Sequence, residues 1–274
     1  MADTATKERF DLQAKDGSLI ACYRSGTGPA LVMVPGALCD ASSWDPMWPY
    51  LRDVFTVYTY DRRGRGPSTN VMPYALEKEM EDLEMLLEAT GPEPNVFGHS
   101  AGAILSMHVA LRGAKLSSLT LYEPPVWQAL RSDHVDKDLE ALAAMDQDAP
   151  WEETIKTFLR HANNSTDEQL DRLMSLSRWP NQVAMAPTVF YDTGIARDFD
   201  IAGEREALGR LTAPTLIMLG GTSPHRMQDS VAAVHAAIKG SRVATVEGHG
   251  HAGIFTAPAV VAGEVRSFVG MPVL

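Results

Sequence analysis

The amino-acid sequence predicts an α/β fold with a mostly parallel sheet of eight strands, helices on both faces, and a helical cap inserted after the sixth strand. Short runs of β-forming residues alternate with helical patterns, which is typical of a parallel sheet covered by helices. The runs are continuously apolar, as strands buried on both faces require. One long segment contains helical patterns alone. We therefore predict a core of residues 1–126 and 212–274 and a cap of residues 127–211.

The first two strands are predicted to pair as an antiparallel hairpin at one edge of the sheet. The segment RFDLQAKDGSLIACYRSG turns at Asp16 and Gly17, a dipeptide that favours a tight turn. Six further β-type runs supply the other strands. They are ALVMVP (30–35), FTVYTY (55–60), NVF (95–97), LTLY (119–122), TLIML (215–219) and VATV (243–246).

Helices of the core are predicted from apolar residues at helical spacing. In ALEKEMEDLEMLLEATG one stripe holds Leu76, Met80, Leu83, Leu86 and Leu87, and Gly91 is a natural residue to follow the helix end. Near the end of the chain Thr256 is expected to cap a helix that has Pro258 in its first turn. Its predicted buried face is Val261, Val265, Phe268 and Val269.

The predicted cap contains the helical patterns DKDLEALAAM, WEETIKTFLRHA and DEQLDRLMSLSRWP. Ligands of open α/β sheets bind at the carboxyl ends of the strands, so we expect the cap to lie over that edge. Its large apolar residues are more typical of a cap core than of a pocket lining, so none is assigned to binding. They are Trp127, Leu130, Trp151, Phe158, Met174, Trp179, Met185, Phe190 and Tyr191.

Charge and composition exclude several kinds of partner. The formal net charge is −11, which argues against a nucleic-acid surface and against a polybasic membrane patch. Cys22 and Cys39 are too few for a disulfide framework and are expected to be free thiols. The first residues have no apolar leader core, and no run is long enough to span a membrane. We expect a cytoplasmic protein with a small uncharged or cationic partner; a homodimer is compatible with the sequence.

A candidate nucleophile lies in NVFGHSAGAIL, where Ser100 falls between Gly98 and Gly102 at a strand-to-helix turn. Such a turn is so tight that side chains two positions on either side would collide, and glycine removes that crowding. The serine is then presented at a helix N-terminus, where backbone N–H groups favour developing negative charge. The alternative interpretation is a Gly-Ser turn without a catalytic role.

With these residues the chain resembles the α/β-hydrolase superfamily from about Phe10 to Val269. VMVPGALCD resembles the turn after the third strand, with Pro35 where many members carry histidine. YDRRGRGPS (60–68) resembles the D-x-R-G-x-G-x-S loop after the fourth strand, and GHGHAG (248–253) resembles the loop that carries the catalytic histidine. The resemblance implies the α/β-hydrolase fold and leaves the substrate open.

Ser100 needs a base, because a serine alone is a poor nucleophile at neutral pH. The resemblance favours His251, since a small residue follows it and the final helix is at the expected distance; His249 is the alternative. A metal site at this His-x-His pair lacks a nearby cluster of Cys, Asp or Glu. The glycines around Ser100 also lack the spacing of a dinucleotide loop, so no cofactor is expected.

The third member of a triad is a carboxylate that orients the base. The family usually carries it after the seventh strand, but IMLGGTSPHRMQDS has none before Asp229. Glu123 stands at the tip of the sixth strand in LTLYEPPVW, a position used by a minority of α/β-hydrolases, including the similar zearalenone-type lactonases. We predict Glu123 as the acid. The alternatives are Asp229, or a Glu123 that caps the cap hinge or pairs with an arginine.

The resemblance also implies an oxyanion hole made by backbone N–H groups of Ala101 and Ala37, with Leu38 as the alternative to Ala37. We predict a serine hydrolase of an apolar ester or lactone that uses Ser100, His251 and Glu123. One alternative is a cofactor-free lyase, acyltransferase or perhydrolase on the same residues. Another is a ligand receptor, which would gain support if Glu123 faced away from His251.

Overall fold

The computed structural model describes residues 7–127 and 133–273. Within them the strands are β1 (Glu8–Gln13), β2 (Leu19–Gly26), β3 (Ala30–Val34), β4 (Thr56–Tyr60), β5 (Asn95–His99), β6 (Ser118–Tyr122), β7 (Thr215–Gly220) and β8 (Arg242–Val246). They form one eight-stranded sheet in the order β1-β2-β4-β3-β5-β6-β7-β8. β2 runs antiparallel to β1 and β4, and all other neighbours are parallel. The predicted mostly parallel, eight-stranded sheet is confirmed.

The predicted N-terminal hairpin is also confirmed. Phe10 of β1 pairs with Cys22 of β2. At the turn Gly17 adopts a φ of +88°, and the Ser18 N–H donates to the Asp16 carboxylate at 2.9 Å. The glycine supplies the left-handed backbone and the aspartate closes the turn.

Helices cover both faces of the sheet and also occupy residues 133–208 between β6 and β7, joined by short turns. In the described residues they are α1 (Leu76–Ala89), α2 (Ala101–Leu111), α3 (Asp133–Ala143), α4 (Trp151–Asn163), α5 (Asp167–Met174), α6 (Trp179–Met185), α7 (Val189–Asp198), α8 (Arg205–Leu208), α9 (His225–Ala237), α10 (Gly253–Thr256) and α11 (Pro258–Phe268). Nowhere in this part of the chain does a helix have the length and apolar character needed to cross a bilayer.

Two hydrophobic layers lie on opposite faces of the sheet. Side chains of a strand alternate between faces, so Val32 of β3 packs in one layer and Met33 in the other. Leu83 of α1 lies in the layer of Val32, whereas Val261 of α11 lies in that of Met33. Burial on both faces explains why the central strands are continuously apolar.

The helices between β6 and β7 have a hydrophobic cluster of their own, which includes Trp127, Ile155 and Phe158. Leu38, from the loop after β3, joins this cluster. Helix α7 contacts both regions, because Ala196 lies in this cluster and Ile195 lies in a core layer. The predicted residue Leu130 lies outside the described residues.

The prediction that every strand is buried on both faces is wrong for β8. Arg242 and Val243 are exposed, and 43% of the surface of Val243 is accessible. β8 is the last strand of the sheet and pairs only with β7, so part of its surface stays uncovered. An edge position depends on strand order, which local hydrophobicity does not reveal.

The prediction that Thr256 caps the final helix is also wrong. Thr256 ends α10, and the residue preceding α11 is Ala257, which makes no side-chain capping bond. The Thr256 hydroxyl instead lies 3.3 Å from the carbonyl of Ala252 and 2.9 Å from Nδ1 of His249. Pro258 does start α11, as predicted, and Val261 and Val265 are buried.

Candidate active site

Ser100 occupies the turn between β5 and α2 in a strained backbone conformation. Its φ is +55°, which is rare for a residue other than glycine. A Cβ atom on Gly98 would lie 2.6 Å from the Cα of Ala103, and one on Gly102 would lie 2.3 Å from the carbonyl oxygen of Val34. Both flanking glycines are therefore required by close backbone contacts, as the sequence pattern predicts.

His251 and Glu123, which are far apart in the sequence, meet above the ends of the strands. Nδ1 of His251 donates to Oε2 of Glu123 at 2.7 Å. The Glu123 side chain is fully buried, whereas 19% of the His251 side chain is exposed. Ser100 and His251 line one pocket, so the structure brings all three predicted triad residues to the same place.

Glu123 is held by donors from the neighbouring strand β7 and from the loop after it. Its Oε1 accepts hydrogen bonds from the Gly220 N–H at 2.6 Å and from the Ser223 hydroxyl at 2.5 Å. With His251 on Oε2, the carboxylate has three donors, which offset the cost of burying it. Its backbone φ of +47° turns the chain just after β6 and before Pro124. Sequence analysis missed Gly220 and Ser223, because only the register of β7 beside β6 brings them there.

The alternative residues lie elsewhere. His249 has its Nδ1 2.9 Å from the Thr256 hydroxyl, and Asp229 is an exposed residue of α9. In the described residues the Glu123 carboxylate bonds to Gly220, Ser223 and His251 and to no arginine. Those residues also contain no group of three or more His, Cys, Asp or Glu arranged to hold a metal ion.

Two further hydrogen bonds anchor the loop that carries His251. Nε2 of His99 donates to the backbone carbonyl of His251 at 3.0 Å, and the Tyr122 hydroxyl donates to the carbonyl of Gly250 at 2.8 Å. Burial lowers the pKa of His99 to about 3, so its imidazole is neutral. The rings of His99 and His251 lie 4.8 Å apart between centroids.

The two predicted oxyanion residues, Ala37 and Ala101, line the same pocket as Ser100. Ala101 is the first residue of α2, so its N–H has no acceptor within the helix. The loop after β3 comes close to the nucleophile, since a Cβ atom on Gly36 would lie 2.9 Å from the Cβ of Ser100. Leu38, the alternative, has a φ of +54° and a buried side chain.

The pocket lies between the core and the helices that follow β6, and it is almost closed, with a cavity volume of about 10 Å³. Apolar side chains dominate its wall, and Asn163 and Asp192 are the polar groups besides Ser100 and His251. The other lining residues are Ala37, Ala101, Pro125, Trp127, Phe158, Ala162, Ala196 and Met227.

Asp192 belongs to a buried ion network that sequence analysis missed. Its two carboxylate oxygens accept hydrogen bonds from Arg62 at 2.7 Å and from Arg65 at 2.6 Å. Arg62 also binds Glu79 of α1 at 2.6 Å, and all four side chains are almost completely inaccessible. The network joins the loop after β4 to α1 and α7, and Asp192 also lines the pocket. The arginine-rich stretch DRRGRGPS was its only signal in the sequence.

Known proteins share both the sequence pattern and the architecture. The sequence model of the alpha/beta hydrolase family matches residues 31–264. A crystal structure of an alpha/beta hydrolase from Sphaerobacter thermophilus is similar with a TM-score of 0.81 and 30% identity, over 94% of this chain and 99% of that one.

Two curated proteins match a shorter segment. An N-formylmaleamate deformylase from Pseudomonas putida is 34% identical over 105 residues, which is 37% of this chain and 39% of that protein. An uncharacterized hydrolase from Bacillus subtilis is 30% identical over 115 residues, 40% of this chain and 42% of that protein. The chain thus spans about two fifths of the length of the curated relatives that it matches.

Proposed function

Because the chain belongs to the alpha/beta hydrolase family, we propose that it is a serine hydrolase that cleaves a small apolar carboxylic ester or lactone through an acyl-enzyme. The observation that supports this proposal best is the 2.7 Å hydrogen bond between His251 and Glu123 beside Ser100. It orients the imidazole so that Nδ1 carries the proton and Nε2 is free to act as a base.

In this mechanism Ser100 attacks the carbonyl carbon of the substrate while Nε2 of His251 accepts the hydroxyl proton. The N–H groups of Ala37 and Ala101 stabilise the oxyanion of the tetrahedral intermediate. His251 returns the proton to the leaving alcohol, and an acyl group remains on Ser100. Water, activated by His251, then releases the acid. Glu123 accepts the hydrogen bond from Nδ1 and stabilises the imidazolium that forms in each step.

The pocket supports a small, mainly apolar substrate. Its cavity volume of about 10 Å³ is far below the ~300–1,000 Å³ that is usual for ligand pockets, so a substrate must be compact and must displace lining side chains to enter. Trp127 and Phe158 offer aromatic surface to an acyl chain or a lactone ring, and no Lys or Arg is among the described lining residues. A compact neutral ester or lactone suits such a wall better than a peptide or a sugar.

A second candidate is hydrolysis of a carbonyl–nitrogen bond. The name of one relative, N-formylmaleamate deformylase, favours this chemistry. The same residues would serve, with His251 protonating a leaving nitrogen instead of an oxygen. Paired substrates that share an acyl group, 4-nitrophenyl acetate and 4-nitroacetanilide, separate the two candidates by their relative kcat/KM.

The test is the intact mass of the protein after incubation with a fluorophosphonate. We expect one adduct on the wild type, none on Ser100→Ala, and an adduct on Ser117→Ala, a matched change at an exposed serine. Products from reactive esters and lactones then identify the reaction, since hydrolysis gives an acid plus an alcohol or one hydroxy acid. A folded wild type that reacts neither with the fluorophosphonate nor with a smaller sulfonyl fluoride would contradict the proposal.

A further inference from the structure

We propose that His99 is a positioning residue that sets the distance between the nucleophile and the base by a hydrogen bond to the backbone of His251. This inference rests on the proposed function, because it assigns His99 a part in the reaction of Ser100 and His251. His99 directly precedes Ser100, and its Nε2 lies 3.0 Å from the carbonyl oxygen of His251. One side chain therefore links the nucleophile turn to the residue that carries the base.

The direction of this hydrogen bond follows from the acceptor. A backbone carbonyl only accepts, so Nε2 of His99 carries the proton and donates it. The ring is neutral, which leaves Nδ1 with a lone pair, and Nδ1 has no hydrogen-bond partner in the described part of the chain. Nδ1 faces the backbone of Gly36, where a Cβ atom would lie at 3.2 Å. Among the described residues the His99 side chain thus makes one hydrogen bond, which it donates to the carbonyl of His251.

The packing around His99 prevents the ring from turning away. The residue is 96% buried, since only 4% of its surface is accessible. Trp44 meets the ring edge-to-face at 6.5 Å between centroids, and the His251 ring lies at 4.8 Å. The neutral state of His99 also matters, because a charged imidazole 4.8 Å from the His251 ring would repel the imidazolium that forms there.

A link of this kind affects rate more than binding. Ser100 and His251 both line the pocket, and they lie after β5 and β8, which are not neighbouring strands. The Glu123 contact fixes the direction of the imidazole, whereas the His99 contact fixes the backbone from which the imidazole extends. An error of about 1 Å in such a pair costs on the order of a hundredfold in rate.

The test compares His99→Gln with His99→Asn. The amide nitrogen of glutamine lies as many bonds from Cβ as Nε2 does, so it can donate to the His251 carbonyl. The amide of asparagine ends at the position of Nδ1 and cannot reach it. With 4-nitrophenyl acetate we expect His99→Asn to lower kcat by about tenfold to a hundredfold at unchanged KM. His99→Gln should keep kcat within about threefold of the wild type.

The same comparison is repeated with the rate of fluorophosphonate labelling, and thermal unfolding shows whether each variant is folded. If His99→Asn does not fold, His99→Met, which also lacks the donor and fills the space, replaces it. Equal kcat values for the wild type and the donor-free variant would overturn the role of His99, as would equal losses in the Gln and donor-free variants. A wild type that reacts with neither probe would instead overturn the proposed function, and the role of His99 with it.

Discussion

Nδ1 of His251 donates to Oε2 of Glu123 across 2.7 Å, although the two residues are 128 positions apart in the chain. The contact forms because β6 and β7 are adjacent, so the tip of either strand can reach the loop after β8. In this chain the tip of β6 supplies the carboxylate. The segment after β7, where the family usually has its acid, supplies the Ser223 hydroxyl that binds Oε1 of Glu123.

The first prediction concerns the identity of the acid. In Glu123→Gln an amide N–H can face Nδ1 of His251, which disfavours the tautomer that the mechanism needs. We expect kcat for 4-nitrophenyl acetate to fall by about a thousandfold to ten-thousandfold. The matched control is Asp229→Asn, which changes the exposed alternative carboxylate on α9 and should leave kcat unchanged. The reverse pattern would assign the acid to Asp229.

The second prediction concerns the glycines of the nucleophile turn. Gly102→Ala places a Cβ atom 2.3 Å from the carbonyl oxygen of Val34, so backbone must move and displace Ser100. We expect loss of fluorophosphonate labelling and a lower free energy of unfolding. Gly194→Ala is the control within a helix, since nothing lies within 4 Å of its Cβ position. That variant should keep its labelling and gain about 0.5–1 kcal/mol of stability.

Sequence reasoning succeeds where the placement of a residue depends on local chain geometry. The turn at Ser100 is visible as glycines at fixed spacing, and Glu123 is visible as a carboxylate on an apolar strand. It fails where an effect needs two distant segments in register. The contact of Asp192 with Arg62 joins positions 130 residues apart, and no periodicity in either segment predicts it. The exposed face of β8 depends in the same way on its place at the sheet edge.

The third prediction concerns the buried ion network. Asp192→Asn removes the charge that two inaccessible guanidinium groups share, and uncompensated buried charge is costly. We expect the free energy of unfolding in urea to fall by about 3–5 kcal/mol. Asp198→Asn on the same helix breaks an exposed pair with Arg197 and should change stability little. Equal effects of the two substitutions would show that the network does not stabilise the fold.

The fourth prediction concerns acid stability and follows from His99. Burial lowers the pKa of His99 from its ordinary value of 6.5 to about 3. Between these values the unfolded chain binds a proton that the folded chain does not, so the free energy of unfolding decreases as the pH falls. This residue contributes a slope of at most about 1.4 kcal/mol per pH unit to the free energy of unfolding.

His99→Gln removes the titrating group and can keep the hydrogen bond, so its stability should fall less steeply than that of the wild type. Urea denaturation from about pH 7 down to about pH 4 measures the difference, in which the contributions of all other groups cancel. Parallel curves for the two proteins would mean that His99 accepts a proton as readily in the folded state as in the unfolded chain.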